Sequence, residues 1–270
     1  METKGIISSA QNPKVKLLLE LQQKSSERRK HGLFVVEGMR EVSHCLSAGY
    51  EIDSLLYCPQ IADGDALEQI RRLSPASKCF EISSDIYQKV AYRGGTEGVI
   101  AEVRTRSLTL QDLQLSASPL IMVLESVEKP GNLGAILRSA DASGVDAVIV
   151  CDPLTDLFNP NLIRSSIGAI FTVPTVACSS AECIRFMKER GIQILTAQLQ
   201  DSSLYYATDM RRPTAIIMGT ESTGLTQQWR EAADAHIRIP MLGRLDSLNV
   251  SVSAAILMFE AVRQRTGLGA

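Results

Sequence analysis

Apolar and polar positions along this chain fall into short blocks whose lengths predict a regular succession of strands and helices. Val15, Leu17, Leu18, Leu19 and Leu21 lie in a helix-like stretch from Asn12 to Leu21, which ends before the polar run Lys24–Lys30. Leu33-Phe34-Val35-Val36 reads as a short buried strand, and Met39–Ala48 as a helix closed by Gly49. Strands follow at Ile52–Cys58, Lys78–Ile82 and Val99–Val103, with helices at Asp65–Leu73 and Asp85–Ala91 and a turn at Gly94-Gly95. Alternating units of this length predict a small sheet covered by helices. Arg104–Ser118 is polar and aperiodic and leads into Pro119, so a domain boundary is expected there.

Beyond Pro119 the rhythm is stronger. Strands are expected at Leu120–Leu124, Ala147–Val150, Val173–Val176, Gln193–Thr196, Thr214–Met218 and Ile237–Ile239. Most are unbroken apolar runs, the pattern of parallel strands buried on both faces. Helices are expected at Leu133–Ala142, Leu162–Ala169, Ala181–Glu189, Thr226–Ala233 and Val250–Arg265. The last is apolar almost all round, which predicts burial against its own domain or a partner subunit. The expected class is α/β, divided into a leader helix over 1–30, a first domain over 31–104, a linker over 105–118 and a second domain over 119–270.

Composition narrows the functional classes. Hydrophobic residues make up 45% and charged residues 21% of the 270, which is ordinary globular usage. No apolar run reaches the roughly 18 residues of a membrane span, and the start has neither a signal-peptide core nor a transit-segment bias. The six cysteines show no C-x-x-C pair and no disulfide-scaffold density, so reduced thiols in a cytoplasmic protein are expected. Three scattered histidines and no Cys/His cluster predict no metal site and give little basis for a His-centred triad. The net charge of −2 conceals a local excess. Residues 1–31 carry Lys4, Lys14, Lys16, Lys24, Arg28, Arg29 and Lys30 against Glu2, Glu20 and Glu27. Such a patch suits phosphate contacts or a simply solvated helix, and composition does not choose between them.

Three stretches of the second half carry candidate chemistry. Lys129-Pro130-Gly131-Asn132-Leu133-Gly134-Ala135-Ile136-Leu137-Arg138 follows a strand and opens a helix. Helix starts of this kind receive anions, but the glycine spacing is not G-x-G-x-x-G, and a capped surface helix explains the stretch as well. Gly219-Thr220-Glu221-Ser222-Thr223-Gly224-Leu225 runs off a buried strand, where open α/β sheets bind ligands. A glycine-closed connection with a capping carboxylate is the alternative. Ile239-Pro240-Met241-Leu242-Gly243-Arg244-Leu245-Asp246-Ser247-Leu248-Asn249-Val250-Ser251-Val252 joins the last strand to the apolar helix. A helix cap accounts for one of its polar residues but not for the string.

Taken together the three stretches resemble the signature motifs of the SpoU (TrmH) family of RNA ribose 2′-O-methyltransferases in the SPOUT superfamily: N-x-G-x-I-x-R-x-A, G-x-E-x-x-G-L and I-P-M-x-G-x-x-x-S-L-N-V-S-V, in order. Arg164-Ser165-Ser166-Ile167-Gly168-Ala169-Ile170-Phe171 is similar to a further family stretch, R-x-S-x-G-A-x-F. The likeness covers about Pro119 to Arg265, with Ser139 and Ser253 where the family usually has Thr and Ala. It implies a deep trefoil knot, S-adenosylmethionine (AdoMet) as methyl donor, and a homodimer through the C-terminal domain. It also implies contacts of Gly219, Ile239 and Leu248 with the donor, with Thr196 and Ala197 lining one side. Arg138 would act on the 2′-hydroxyl, and Asn132, Glu221, Ser247 and Asn249 would hold Arg138, ribose and donor in register. Ile7-Ser8-Ser9-Ala10-Gln11-Asn12-Pro13 and Phe34-Val35-Val36-Glu37-Gly38 resemble the leader and the ribosomal-protein-like substrate-binding domain of one branch of this family, with Glu37-Gly38 near its RNA-facing edge. Ribosomal RNA is then the expected substrate and transfer RNA the runner-up. A catalytically silent RNA-binding protein on the same scaffold is the rival reading, and an ordinary nucleotide-binding enzyme a more distant one.

Overall fold

The computed structural model describes residues 6–92, 97–220, 223–244 and 247–267. The expected turn at Gly94-Gly95, the candidate Glu221, and Lys4 lie outside the described residues. The chain forms two compact units, Met1–Arg106 with Asp156–Thr172, and Ser107–Thr155 with Val173–Ala270.

In the first unit α1 (Pro13–Gln23) starts where its pattern predicts, with Pro13 in the first turn and the Asn12 side chain accepting the Lys14 N–H. The polar run that follows is itself a short helix, α2 (Ser25–His31), closed by Gly32 at φ 63°. Then come β1 (Leu33–Glu37), α3 (Met39–Ser47), β2 (Ile52–Tyr57), α4 (Gly64–Leu73), β3 (Lys78–Glu81), α5 (Ser84–Val90) and β4 (Val99–Arg104). The sheet order is β1-β4-β2-β3, with β4 antiparallel to both neighbours and β2 parallel to β3. Val15, Leu18 and Leu21 of α1 pack into a core with Leu33, Val35, Leu56, Ile82, Tyr87 and Ile100.

The segment Asp156–Thr172 completes this unit. The expected single helix over Leu162–Ala169 is instead two, α7 (Pro160–Ser165) and α8 (Ala169–Thr172). Ile167 at φ 54° and Gly168 at φ 83° turn the chain left-handed between them, which no helix tolerates. A Cβ on Gly168 would crowd the His44 ring at 3.1 Å. Phe158 and Phe171 close on Phe34, with ring centroids at 4.5 and 6.1 Å.

In the second unit residues 107–118 are not free of the core. Leu110 is buried, and Leu108, Leu113 and Leu115 pack beside it. The strands β5 (Leu120–Glu125), β6 (Ala147–Cys151), β7 (Thr175–Cys178), β8 (Gln193–Ala197), β9 (Ser203–Leu204), β10 (Thr214–Met218) and β11 (Ala235–Arg238) make one parallel sheet in the order β7-β6-β5-β10-β8-β11-β9. The two-residue β9 has no periodic signature, so the apolar pattern does not predict it. The remaining helices are α6 (Pro130–Ser143), α9 (Ser180–Glu189), α10 (Gln227–Ala232) and α11 (Val250–Thr266). Cys183, Phe186 and Met187 of α9 and Trp229 of α10 cover the sheet face that carries Ile121, Val123, Ile149 and Ile217. Strand residues of the other parity point to the opposite face, where α6 and α11 pack on each other and on β5, β6 and β10. Among the described residues no helix is long and apolar enough to cross a membrane.

Candidate active site at the carboxyl ends of the parallel strands

Strand order decides where a ligand can enter. From β5 the chain builds outward through β6 and β7, while β10, β8 and β11 lie on the other side. The reversal falls between β5 and β10, the topological switch point at which open α/β sheets leave a crevice. Ser126, just past β5, and Asp152, just past β6, hold positive φ of 53° and 46°. Non-glycine residues there carry strain that concentrates at functional loops.

A buried carboxylate organises this edge. Glu125, 2% exposed at the end of β5, accepts the Thr226 backbone N–H at 2.8 Å and its hydroxyl at 2.6 Å, capping the start of α10 from outside that helix. Ser180 accepts the Trp229 indole N–H at 2.9 Å and donates to Asp152 at 2.6 Å. Hydrogen bonds to charged groups of this kind each contribute about 1.5–3 kcal/mol. Neither Glu125 nor Ser180 stands out in the sequence, because each sits in an otherwise unremarked strand end or helix start.

The first and third motifs meet here. Asn249 caps α11 by accepting the Ser251 N–H, and its Nδ2 donates to Asn132 Oδ1 at 3.1 Å across 117 residues of chain. Asn132 and Gly219 line one crevice together with Ser126, Lys129, Leu154, Thr220 and Val250. Gly219 is there for a steric reason: a Cβ would overlap the backbone of Gly224, which lies at φ 67°. The loop closes through Gly224 N–H on the Thr220 carbonyl and Thr223 N–H on the Thr220 hydroxyl. Arg138 is exposed on α6, two turns on from Asn132, and lines neither this crevice nor the next.

A second cleft opens on the far side of β10. It is walled by Ala197, Met218, Ile237, Ile239, Met241, Leu248 and Leu257, with Ser247 at its edge. Three of the expected donor contacts, Ala197, Ile239 and Leu248, therefore come together, and Ser247, expected beside the ribose, sits with them. Thr196 lies beneath: it is fully buried, and its hydroxyl is shared with His236 Nδ1 at 2.5 Å. Gln198, which the sequence does not single out, also lines the cleft. Its Nε2 donates to the Gln200 carbonyl while its buried Oε1 has no hydrogen-bond partner. A buried acceptor left alone costs free energy, so this atom fits a ligand that brings an N–H or O–H. Apolar walls with a few polar atoms suit an adenosine-sized group.

In the first unit Glu37 and Gly38 stand at the end of β1 as expected. The Glu37 carboxylate accepts the Tyr92 N–H at 3.1 Å, and both residues line a cavity of about 240 Å³ with Arg40, Glu41, Glu97 and Arg164. The Arg164 guanidinium stacks 4.0 Å above the Tyr92 ring. That aromatic–cation pair is a surface on which a flat base can stack.

An all-parallel α/β unit with clefts at the carboxyl ends of its strands, together with a small mixed-sheet unit, defines the class: a two-unit α/β protein. Comparison with known proteins gives the family. The chain belongs to the SpoU rRNA methylase family, whose model matches residues 119–259, and an MRM3-like substrate binding domain matches residues 12–101. It is similar to the 23S rRNA (guanosine(2553)-2'-O)-methyltransferase RlmP of Bacillus subtilis, 29% identical over 94% of this chain and 97% of that protein. Among solved structures, an RNA 2'-O ribose methyltransferase is 38% identical, with a TM-score of 0.84 over 97% of this chain and 100% of the other. An AdoMet-bound rRNA methyltransferase from Sinorhizobium meliloti is 30% identical, with a TM-score of 0.88 over 96% and 97%.

Proposed function

We propose that this protein transfers a methyl group from AdoMet to a ribose 2′-hydroxyl of ribosomal RNA. The observation that carries the reading is the Asn249–Asn132 hydrogen bond, which fastens the third motif to the first at the switch point of the sheet. A relative over 94% of the chain is named for this reaction on 23S rRNA, as are relatives over 63% and 65% of it, which favours ribosomal over transfer RNA.

AdoMet supplies a methyl group activated by a sulfonium. The walls of Ala197, Ile239 and Leu248 would hold its nucleoside part by apolar contact and backbone groups. Gln198 Oε1, buried without a partner, would accept a hydrogen bond from it, and Thr196, pinned by His236, keeps the end of β8 in place. Gly219 lets the loop after β10 approach closely enough to present its backbone. Arg138, exposed on the helix that carries Asn132, meets the RNA. A guanidinium is too basic to remove a proton, so its work is to stabilise the developing 2′-oxyanion and to hold a phosphate with its planar fork. Asn132, Ser247, Asn249 and Glu221 keep ribose and donor aligned, which lowers the barrier by orientation. The chain around the third motif threads the preceding loop as a trefoil knot.

The C-terminal unit is a homodimer in this reading. Val252 and Phe259 of α11 remain 48% and 47% exposed, an apolar face of the kind partners cover. Sedimentation at micromolar concentration should show twice the 29.4 kDa chain mass, and a concentration-independent monomer would remove the dimer. For the activity, purified protein and tritiated AdoMet are mixed with ribosomal and transfer RNA from cells lacking the gene. One labelled ribose in ribosomal RNA is expected. Label confined to transfer RNA would change the substrate, and AdoMet binding without any transfer would make the protein a silent RNA binder.

A further inference from the structure

Three cysteines that lie far apart in the sequence meet in the second unit. Cys151 ends β6, Cys178 ends β7 as its register partner, and Cys183 lies one turn into α9. Their sulfurs lie within 4.8 Å of one another. Cys151 and Cys183 are fully buried, while Cys178 is half-buried and reachable. The spacing that argues against a metal site in the sequence conceals this group, because two of its members are joined by sheet pairing.

Local structure explains the other contact. Helix α9 opens with a capping box in which Ser179 is the N-cap and Glu182 reaches back to it. Cys178 is then the residue before the cap and Cys183 the fourth residue of the helix, the two positions whose side chains pack as a hydrophobic staple. Here the staple is made of two thiols. Cys178 also precedes the positive end of a ten-residue helix, which favours a thiolate. Hydrogen bonds from the Cys151 and Cys183 thiols hold its titration well below the usual thiol range, against burial and the Glu182 and Asp152 carboxylates. Cys151, bound to Cys178 and Cys183 and buried, is pushed the other way and keeps its proton. Negative charge therefore settles on the accessible sulfur, with protonated thiols behind it, the arrangement of an oxidation-sensitive cysteine beside a resolving partner.

We propose that Cys178 and Cys183 are an oxidation site for hydroperoxides, closing to a disulfide within the staple of α9. The Cys178 thiolate attacks the outer oxygen of the peroxide, forming an S–O bond as the O–O bond breaks and releasing hydroxide from hydrogen peroxide, or from an organic hydroperoxide an alkoxide that takes a proton from water to become the alcohol. The Cys183 sulfur then displaces the oxygen of the sulfenic acid. The S–S bond forms, the S–O bond breaks, and the Cys183 proton leaves with that oxygen as water. Two thiols are oxidised and one peroxide is reduced. Cys183 is the better resolving group than Cys151. Cys151 is fixed at the end of β6 by its ladder with β5 and β7, so closing any bond to its sulfur, which needs Cβ atoms about 3.5–4.5 Å apart, would have to shift a central strand. The first turn of a helix yields more easily. The turn also joins the network at the site edge, since Asp152 donates its N–H to the Cys178 carbonyl and accepts from Ser180.

The test uses the full chain, reduced, treated with hydrogen peroxide at neutral pH, alkylated and digested with trypsin. Cys178 and Cys183 fall in one tryptic peptide, residues 165–185. That peptide should lose two hydrogens and escape alkylation. It should do so at least about fivefold faster than Cys79 is modified, reflecting its larger thiolate fraction. Cys79 is the comparison because it is also half-buried but belongs to no thiol group among the described residues. Cys183→Ser should leave a Cys178 sulfenic acid that a 1,3-diketone reagent captures, and Cys178→Ser should abolish both products. Reaction of Cys178 no faster than Cys79, or a wild-type disulfide to Cys151, would overturn the proposal.

Discussion

The two units bury charge for different ends. In the first, Arg28 is 3% exposed, with its Nε on Asp156 at 2.7 Å and its Nη1 on the Leu21 carbonyl, and the fully buried Glu102 accepts from Lys14 and from Ser54. These contacts tie the leader helices to the sheet and to the segment 156–172. In the second, the buried Glu125 and, beside it, the exposed Asp152 stand at the carboxyl ends of neighbouring strands and hold the loops that border the crevice. The same chemical groups serve cohesion in one place and a site in the other, and position relative to the strand ends separates the two. Burial also corrects the charge count at the N-terminus. Lys14 and Arg28 are taken up inside the unit, whereas Lys16, Lys24, Arg29 and Lys30 stay exposed. Lys24 and Lys30 lie beside Glu20 and Glu27 on the surface. The positive face open to RNA is smaller than composition suggests.

Arg28→Ala tests the cohesive side most severely. It leaves Asp156 without its cation and should lower stability by about 3–5 kcal/mol, the usual cost of breaking a buried pair. Denaturant titration measures this, and a loss under about 1 kcal/mol would show that the pair fastens nothing. Activity per folded molecule should be unchanged.

Arg138→Ala addresses the site. Turnover should fall about 10²–10³-fold while AdoMet affinity, read by calorimetry, stays at the wild-type value. Arg138→Lys should restore little, because an ammonium lacks the planar fork. Loss of AdoMet binding together with turnover would make Arg138 structural.

Asn249→Ala removes the α11 cap and the hydrogen bond to Asn132 together. A stability loss of about 0.5–2 kcal/mol is expected for the cap, with transfer falling further than stability explains. An equal change in both would reduce Asn249 to a helix cap.

The smallest effect is expected from Lys16→Ala with Lys24→Ala. Folding should be unaffected, RNA affinity should drop a few-fold, and the log–log salt slope should flatten by roughly 0.7–0.9 for each phosphate that the variant no longer neutralises. An unchanged slope would mean that these side chains are merely solvated.

Most element positions are legible in the sequence because apolar periodicity reports burial directly. The continuous runs Leu120–Leu124 and Thr214–Met218 form central parallel strands, and Asn12-Pro13 announces the start of α1. The division of α7 from α8 is hidden, since Ile167 gives no sign of a left-handed backbone before its surroundings impose one. The leucines of 107–118 are spaced too irregularly to show that they join the core of the second unit. At the candidate site Ala197, Ile239 and Leu248 are legible only through the family motifs. Gln198 and Glu125 carry no motif and emerge from an unpartnered oxygen and a cap supplied from outside the helix.

The sequence by itself determined where most of the apolar strands and helices lie, and that three motifs stand in the order of an RNA methyltransferase family. Tertiary structure alone decided that β5 and β10 lie side by side, that Asn249 reaches Asn132, that 156–172 belongs with the first unit, and that Cys151, Cys178 and Cys183 form one group. The reason is physical. Hydrophobic burial is non-directional, so a periodic pattern states that a face must be covered without stating by what. Only closure of the whole chain, with every backbone group paired, selects the partner.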